Sequence, residues 1–445
     1  MFSKVLIASR GEIAVRIIRA CKEMGIATVA VFSEADRDSL WVNLADESIC
    51  IGPAPVQQSY LNMTAVLSAA INTGAQAIHP GYGLLSENAK FASLCEQCGL
   101  VFIGPSSALI SKMGDKDEAR KTMAALGVPI IPGSGVLKDP KEAEIAAEKI
   151  GYPLLIKAKA GGGGRGIRKV TESSSLSHEF EAAVREAEAY FGDGAVYLEK
   201  YLTPVNHVEM QVLCDQFGQA LCLGDRECSI QRKNQKMLEE SPSLTLTESM
   251  RQEMTALCTQ SMKALNYTGL GTLEFLCTQD GQYYFMEMNT RLQVEHPVTE
   301  MVTGIDLVKW QLRVAAGLPL NFKQEDIKLT GCAIECRLNA ENPALGFRPS
   351  SGKISLLHIP GGPWVRFDTA VFQDYIVPPY YDSLIAKLIV HAATREEAIR
   401  KMNAALCEMV IEGVDHTADL QLEILSDDDF LIGNYHTNFM ESWDR

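Results

Sequence analysis

The tightest constraint on this chain is a pair of strand-like segments, residues 271–277 and 283–288, separated by the turn-type residues 279–282. Both segments are rich in aromatic and aliphatic residues, so together they read as one β-hairpin. With 279–282 as a four-residue loop, Glu274 falls directly opposite Glu287. Opposed side chains share a face with Cβ atoms roughly 4.5–5.5 Å apart, where like charges repel. A cation between them relieves the repulsion, and oxygen ligands on a rigid hairpin suit Mg²⁺, which takes one or two carboxylates plus the phosphates of a substrate. A slip of one residue would put the glutamates on opposite faces, leaving two ordinary solvated carboxylates.

The hairpin runs into Met-Glu-Met-Asn-Thr-Arg-Leu-Gln-Val-Glu-His-Pro, residues 286–297. If the chain stays extended there, Glu287, Asn289, Arg291, Gln293 and Glu295 line one wall, and Met288, Leu292 and Val294 the other. Arg291 offers a planar fork suited to a small planar oxyanion such as bicarbonate or a carboxylate. Glu295 is then placed to take a proton from a bound acid. Periodicity alone does not separate this wall from a structural salt-bridge ladder.

Other functions are limited by charge and length. The 445 residues are too many for one core and divide into two to four domains at roughly 100–200 residues each. With 41 basic against 56 acidic residues, a formal charge of −15 argues against a nucleic-acid or anionic-membrane surface. No apolar run approaches the roughly 20 residues of a membrane helix, and residues 1–10 lead into a strand rather than a signal core, so a cytoplasmic location is expected. The 12 cysteines are scattered in apolar segments, as free buried thiols are. Cys95 and Cys98 have metal spacing without a second pair and fit the inner face of a helix better than a zinc or redox site.

Taken in order, residues 4–8 read as a strand, 12–24 as a helix ended by Gly25, and 28–32 as the next strand. This βαβ pattern implies a parallel, dinucleotide-fold-like sheet, although the first turn has no G-x-G-x-x-G. His79-Pro80-Gly81-Tyr82-Gly83 follows a strand at 75–78 and leads into a helix start at 86–88, which places Tyr82 in a loop at a strand end. A strand at 100–103 closes the first domain near Gly114. A helix carrying Lys116 follows, then a hinge at 127–135, then a helix opened by Asp139-Pro140 and ended by Gly151.

Next comes a strand at 154–158 bearing Lys157, then Gly161-Gly162-Gly163-Gly164-Arg165-Gly166, then a strand at 167–170. So many glycines between strands give a backbone that can lie close over a ligand, and Lys157 points its charge at whatever they cover. It is not a P-loop, since the Gly-Lys-Ser/Thr ending is missing. A strand at 196–201 ends this lid. Residues 207–213 alternate, with His207, Glu209 and Gln211 on one face. The polar run 226–236 reads as a loop, either solvated or bringing Arg232, Lys233 and Lys236 toward an anion. Helices follow at 247–265 and 298–316, a strand at 331–340 with Glu335, Arg337 and Asn339 facing away from its apolar side, and a helix at 395–411.

The His-Pro-Gly-Tyr-Gly loop, the four-glycine lid, the Glu274/Glu287 pair, residues 287–297 and Pro378-Pro379-Tyr380-Tyr381-Asp382-Ser383 together closely resemble biotin carboxylase, a member of the ATP-grasp enzymes. The resemblance implies an α/β and α+β multidomain fold. Its parts would be an N-terminal dinucleotide-like domain at 1–114, an ATP-grasp domain at 115–327 with a mobile lid at about 132–202, and a C-terminal biotin carboxylase domain at 328–445. It implies a ligase that uses ATP, bicarbonate and Mg²⁺ or Mn²⁺ to carboxylate biotin on a biotin carboxyl carrier protein through carboxyphosphate. Lys116, Lys157 and His207 would hold the nucleotide, with Ile167, Glu199, Lys200, Leu202, Gln235 and Leu276 completing its pocket and Gly162, Gly163, Gly164, Arg165 and Gly166 over its phosphates. Glu274, Glu287 and Asn289 would bind metal. Lys236, Arg291, Gln293 and Val294 would bind bicarbonate, Glu295 would be its base, and Arg337 would stabilise the biotin enolate with Tyr82 close by.

The family also implies a homodimer through Arg19, Glu23, Trp364 and Arg366, and carboxyltransferase subunits as partners. The carrier motif Met-Lys-Met is missing before Arg445, so carrier and carboxyltransferase are expected on other polypeptides. Fatty-acid synthesis through acetyl-CoA carboxylase is the expected setting, with a split pyruvate or other acyl-CoA carboxylase as the alternative. Three positions depart from the family pattern: Ser9 for an asparagine, Asn234 for a histidine, and Lys159 for a serine or threonine, which sets a second cation on the strand face of Lys157. Another ATP-grasp ligase would share the lid and metal glutamates but not residues 291–295 in this form. A scaffold without turnover would not need the intact metal and bicarbonate sets.

Overall fold

The first strands pair as the βαβ pattern dictates. In the computed structural model, which describes residues 1–160 and 166–443, β1 (Lys4–Ile7), β2 (Ala27–Phe32), β3 (Glu47–Cys50), β4 (Ala77–His79) and β5 (Val101–Phe102) form a parallel sheet in the order β3-β2-β1-β4-β5. Helix Gly11–Glu23 buries Ile13, Ile17 and Ala20 against it. Gly81, just past β4, has φ +64, and a Cβ there would lie 2.8 Å from Ser9 Oγ, so only glycine fits this approach of two strand ends. Asn88 caps helix Ala89–Gln97 by accepting from the Phe91 amide. That helix buries Cys95, but Cys98 is exposed at its end rather than on the inner face.

Capping chemistry sets the next segment. Asp115 opens helix Lys116–Ala125 by accepting from the amides of Asp117 and Glu118, and Asp139 opens Pro140–Ile150 by accepting from those of Lys141 and Glu142. Strands β6 (Leu154–Ala158), β7 (Ile167–Val170) and β8 (Val196–Lys200) form a small antiparallel sheet in the order β7-β6-β8. Its own core includes Leu154, Ile156, Leu176, Phe180 and Leu198. The expectations for Gly161, Gly162, Gly163, Gly164 and Arg165 lie outside the described residues.

The largest sheet holds eight antiparallel strands: β9 (Val205–Cys214), β10 (Ala220–Arg232), β11 (Gln235–Ser241), β12 (Gly269–Thr278), β13 (Tyr283–Asn289), β14 (Cys332–Asn339), β15 (Val365–Thr369) and β16 (Leu384–Ala392). Their order is β13-β12-β9-β10-β11-β14-β16-β15, so β11 pairs directly with β14. One face of β14 and β16 carries Ile334, Cys336, Leu388 and Val390 into an apolar core with Ile399 and Met402. The other face carries Glu335, Arg337 and Lys387, and helix His296–Thr303 packs Val298 and Val302 beside it onto Ala333 and Ile389.

Three expectations change. The polar run 226–236 is not a loop: Arg232 pairs with Gln235 across a two-residue turn in which Lys233 and Asn234 have φ +49 and +64. The strand reads polar because its charges meet partners across the sheet, and the left-handed turn suits asparagine. The helix expected at 298–316 is two, His296–Thr303 and Leu307–Ala315, broken at Gly304 (φ +70) with Asp306 capping the second. The last long helix ends at Glu408, and Val410–Glu412 instead pairs with Leu356–His358.

The hairpin register is reached by compensation. Cys277 pairs with Tyr283 and Phe275 with Phe285, one residue off the register of a four-residue loop. A bulge at Met286 then restores the offset, and Glu274 stands opposite Glu287 as expected.

Candidate active site

A cavity of about 970 Å³ lies between the small sheet and the eight-stranded one, lined by Lys157, Ile167 and Glu199 from the first and by His207, Lys236, Glu274 and Glu287 from the second. At its centre Lys236 serves three carboxylates: its Nζ donates to Glu209 at 2.7 Å, Glu274 at 3.2 Å and Glu295 at 2.6 Å. Glu274 also accepts from Asn289 Nδ2 at 2.7 Å and Gln293 Nε2 at 3.1 Å, and His207 Nε2 lies 2.9 Å from its other oxygen. Burial opposes its ionisation, yet Lys236 and His207 outweigh that and hold it well below the usual carboxylate range.

Glu295 is fully buried and accepts from both Lys236 and Arg337 Nη2, the latter at 2.9 Å. Burial would raise its pKa, but Lys236, Arg337 and Arg226 drive it well below the ordinary value. Arg337 is held from its other side by Glu239, whose carboxyl is pushed up to about 7, first by burial and then by Glu295. Arg291 spans Glu87 (Nε to Oε2, 2.7 Å), Gln293 Oε1 (3.0 Å) and Asn289 Oδ1 (3.1 Å). The chain does not stay extended after Asn289. It turns at Val294 and Glu295 into the helix at His296, so the polar groups converge around a bend instead of lining a flat wall.

Each described candidate except Gly166 lines this cavity, including Tyr82, Lys116, Lys200, Leu202, Gln235, Leu276 and Val294. Several are already engaged. Lys157 pairs with Glu199, which also takes Arg120 Nη1 at 2.5 Å, and Lys200 donates to the carbonyls of Gly151 and Tyr152. Tyr82 gives its hydroxyl to Glu12. Lys159 follows the end of β6 and is exposed in a separate cleft of about 310 Å³, beside Lys116 and Asp193, so it is not set against the main cavity with Lys157. Of the dimer candidates, Trp364 is 64% exposed, Glu23 pairs with Lys309, and Arg366 is taken within the chain by Glu300 and Asp368.

The sequence reading missed Arg226, Glu87, Glu239 and Arg120. Arg226 is fully buried and bonds Glu209, Gln211 and Thr299. Its place on a strand rather than in a loop is what the loop reading of 226–236 hid. Glu87 reaches Arg291 from 204 positions away, and no local pattern announces that.

The paired glutamates fit a divalent cation. Glu287 has its pKa raised by burial and by Glu274, and Lys116, the nearest cation among the described residues, stands 3.8 Å from it. Two opposed carboxylates form the hard oxygen set that Mg²⁺ takes, and Asn289, which here turns its Nδ2 to Glu274 and its Oδ1 to Arg291, would add an amide oxygen on rotating.

A cavity clasped between two antiparallel sheets, with lysines on one side and paired carboxylates on the other, is the arrangement of an ATP-grasp ligase. Family descriptions match in three consecutive pieces: the biotin carboxylase N-terminal domain over residues 1–110, the ATP-binding domain of the carbamoyl-phosphate synthase L chain over 115–323, and the biotin carboxylase C-terminal domain over 335–442. Biotin carboxylase 1 of Bacillus subtilis is 54% identical over 100% of this chain and 99% of its own. The biotin carboxylase domain dimer of Hydrogenobacter thermophilus 2-oxoglutarate carboxylase, solved with MgADP, ADP and bicarbonate, is 50% identical, with a TM-score of 0.94 over 99% of this chain and 98% of that one. The biotin carboxylase subunit of a pyruvate carboxylase is also 50% identical, with a TM-score of 0.87 over the same shares. The chain belongs to the biotin carboxylase family, and it is an ATP-dependent ligase with ATP, Mg²⁺ and biotin as its reaction partners. Among the described residues, no helix is long and apolar enough to cross a membrane.

Proposed function

We propose that Lys236, Arg291, Gln293 and Val294 bind bicarbonate, that Glu295 takes its proton, and that Arg337 holds the biotin enolate with Tyr82 nearby. The observation that carries this is the double hold on Glu295. Lys236 and Arg337 both pair with Glu295, and they are the cations an anionic substrate would engage. An anion that draws them off removes the cause of the lowered pKa and leaves Glu295 a stronger base within hydrogen-bond reach.

Deprotonated bicarbonate then attacks the γ-phosphorus of ATP, giving carboxyphosphate and ADP; the carboxyl group passes to the biotin nitrogen, which gives up its proton to the phosphate released. Lys116, Lys157 and His207 would steady the nucleotide beside Ile167, Glu199, Leu202 and Leu276. Glu274, Glu287 and Asn289 would hold Mg²⁺, which when bound neutralises charge on the transferring phosphoryl group. Mg²⁺-dependent ATP hydrolysis, with and without bicarbonate and free biotin, tests the reading. Hydrolysis indifferent to bicarbonate would point to another acid substrate.

We further infer domains at 1–114, 115–327 and 328–445, a cytoplasmic homodimer, and carboxylation of a biotinylated carrier that supplies a carboxyltransferase making malonyl-CoA for fatty-acid synthesis. The 54% identity with a curated biotin carboxylase supports that setting. The 50% identities with the 2-oxoglutarate and pyruvate carboxylase proteins favour a second reading, in which a keto acid is the final acceptor. Transfer of label from [¹⁴C]bicarbonate to acetyl-CoA, pyruvate or 2-oxoglutarate by the native complex decides between them.

A further inference from the structure

The bend from Arg291 to Glu295 is held from behind as well as in front. Lys387 rises from β16 with no exposure to solvent; its Nζ donates to the Val294 carbonyl at 2.7 Å and lies 3.0 Å from Glu12 Oε1. One residue earlier, the Gln293 carbonyl is 2.8 Å from His296 Nδ1, which donates to it. Two successive carbonyls are therefore fixed by buried side chains, while Gln293, Val294 and Glu295 line the cavity.

Glu12 stands on the first helix and also accepts the Tyr82 hydroxyl, and the Tyr82 ring centroid is 5.9 Å from Lys387 Nζ. A single ammonium thus ties the first helix, the Tyr82 loop, the 291–295 bend and β16. A fully buried lysine is costly when an apolar chain of similar length fills the same volume, so its presence calls for a role that packing does not supply. Burial would favour loss of its proton, but Glu12, Glu335 and Asp368 keep it charged above the ordinary lysine range.

We propose that Lys387 is a positioning residue for the reaction: by holding the Val294 carbonyl it sets where Gln293 and Glu295 stand in the cavity, and through Glu12 it keeps Tyr82 in register with them. The proposal rests on the reading of residues 291–295 as the bicarbonate segment.

Steady-state ATP hydrolysis by the full chain with free biotin tests it. Separate KM values for bicarbonate and ATP are measured for the wild type, Lys387→Met and Glu12→Gln, with thermal unfolding alongside. A shift of even about 1 Å in a positioned group can cost on the order of a hundredfold, so Lys387→Met should raise the bicarbonate KM at least about tenfold and leave the ATP KM within about twofold. Glu12→Gln, which keeps the volume, should show the same split at smaller size and carries the test if Lys387→Met does not fold. Equal shifts in both KM values, an unchanged bicarbonate KM in a folded variant, or loss of folding in both variants overturns the proposal. Hydrolysis by the wild type that needs no bicarbonate overturns the underlying reading instead, before any variant is compared.

Discussion

Two groups of buried charges use the same residue types to different ends. In the closed group, Arg366 grips Asp368 with two nitrogens at 2.9 and 2.6 Å and gives a third bond to Glu300, while Arg16 bonds Glu300 and Asp306. Two arginines there serve three carboxylates, and Glu300 takes a bond from each of them. At the cavity one ammonium, Lys236, faces Glu209, Glu274 and Glu295, and Arg337 divides itself between Glu239 and Glu295. Charges matched inside the chain are structural. Lys236, Glu274, Glu295 and Arg337 line the cavity, where a ligand can reach them, and the closed group does not, so access more than burial or stoichiometry separates the two.

The largest expected effect tests that distinction directly. Glu295→Gln should lower bicarbonate-dependent ATP turnover by about 10²–10⁴, the usual contribution of a positioned base, and should also lower the unfolding temperature, because Lys236 and Arg337 lose a buried partner. Parallel kinetics and calorimetry check both halves. Arg16→Met, away from the cavity, should leave the chemistry alone. Removing one partner of a buried pair costs about 3–5 kcal/mol, so denaturant unfolding should show a loss of that order while the folded fraction keeps its turnover.

The groups should also differ in their response to pH. Arg16 and Arg366 outweigh burial and hold Glu300 below its ordinary value, so its contribution is present above the unfolded carboxylate pKa and is lost as acid is added through the folded one. Glu239 has the opposite sign. With its folded pKa raised to about 7, the native state holds a proton that the unfolded chain releases near 4.3, so stability falls as pH rises across that interval. Chemical denaturation from pH 4 to 8 should show a downward slope that Glu239→Gln flattens. The smallest effect belongs to a site in neither group: Asn234→Ala, strained at φ +64, should cost about 1 kcal/mol and Asn234→Gly less, by the same unfolding measurement.

What was legible in the sequence follows the range of the interactions. The first parallel strands, the capped helices at Asp115 and Asp139, and the glutamate hairpin are set by neighbours a few residues apart, and local periodicity shows them. The dense run from Glu287 to Glu295 was legible because its chemistry is packed into nine positions. Arg16 meets Glu300 across 284 positions, and Lys387 meets Val294 across 93. A buried charge of this kind looks like any surface charge until its partner is known, which is also why the strand ending at Arg232 read as a loop. The hairpin shows the converse: the pairing of Glu274 with Glu287 was right although the turn was one residue shorter than expected, because the bulge at Met286 absorbed the difference.

The union of β11 with β14 bears on how the molecule can be taken apart. The matched family pieces end at 323 and resume at 335, which invites a cut between them. A cut there would unzip the pairs from Leu238–Cys336 to Ser241–Ala333 and leave two raw strand edges in the middle of a sheet, each a template for mispairing. The two halves should behave in isolation as sticky fragments, and when coexpressed as complementary pieces of one sheet that find each other through that seam.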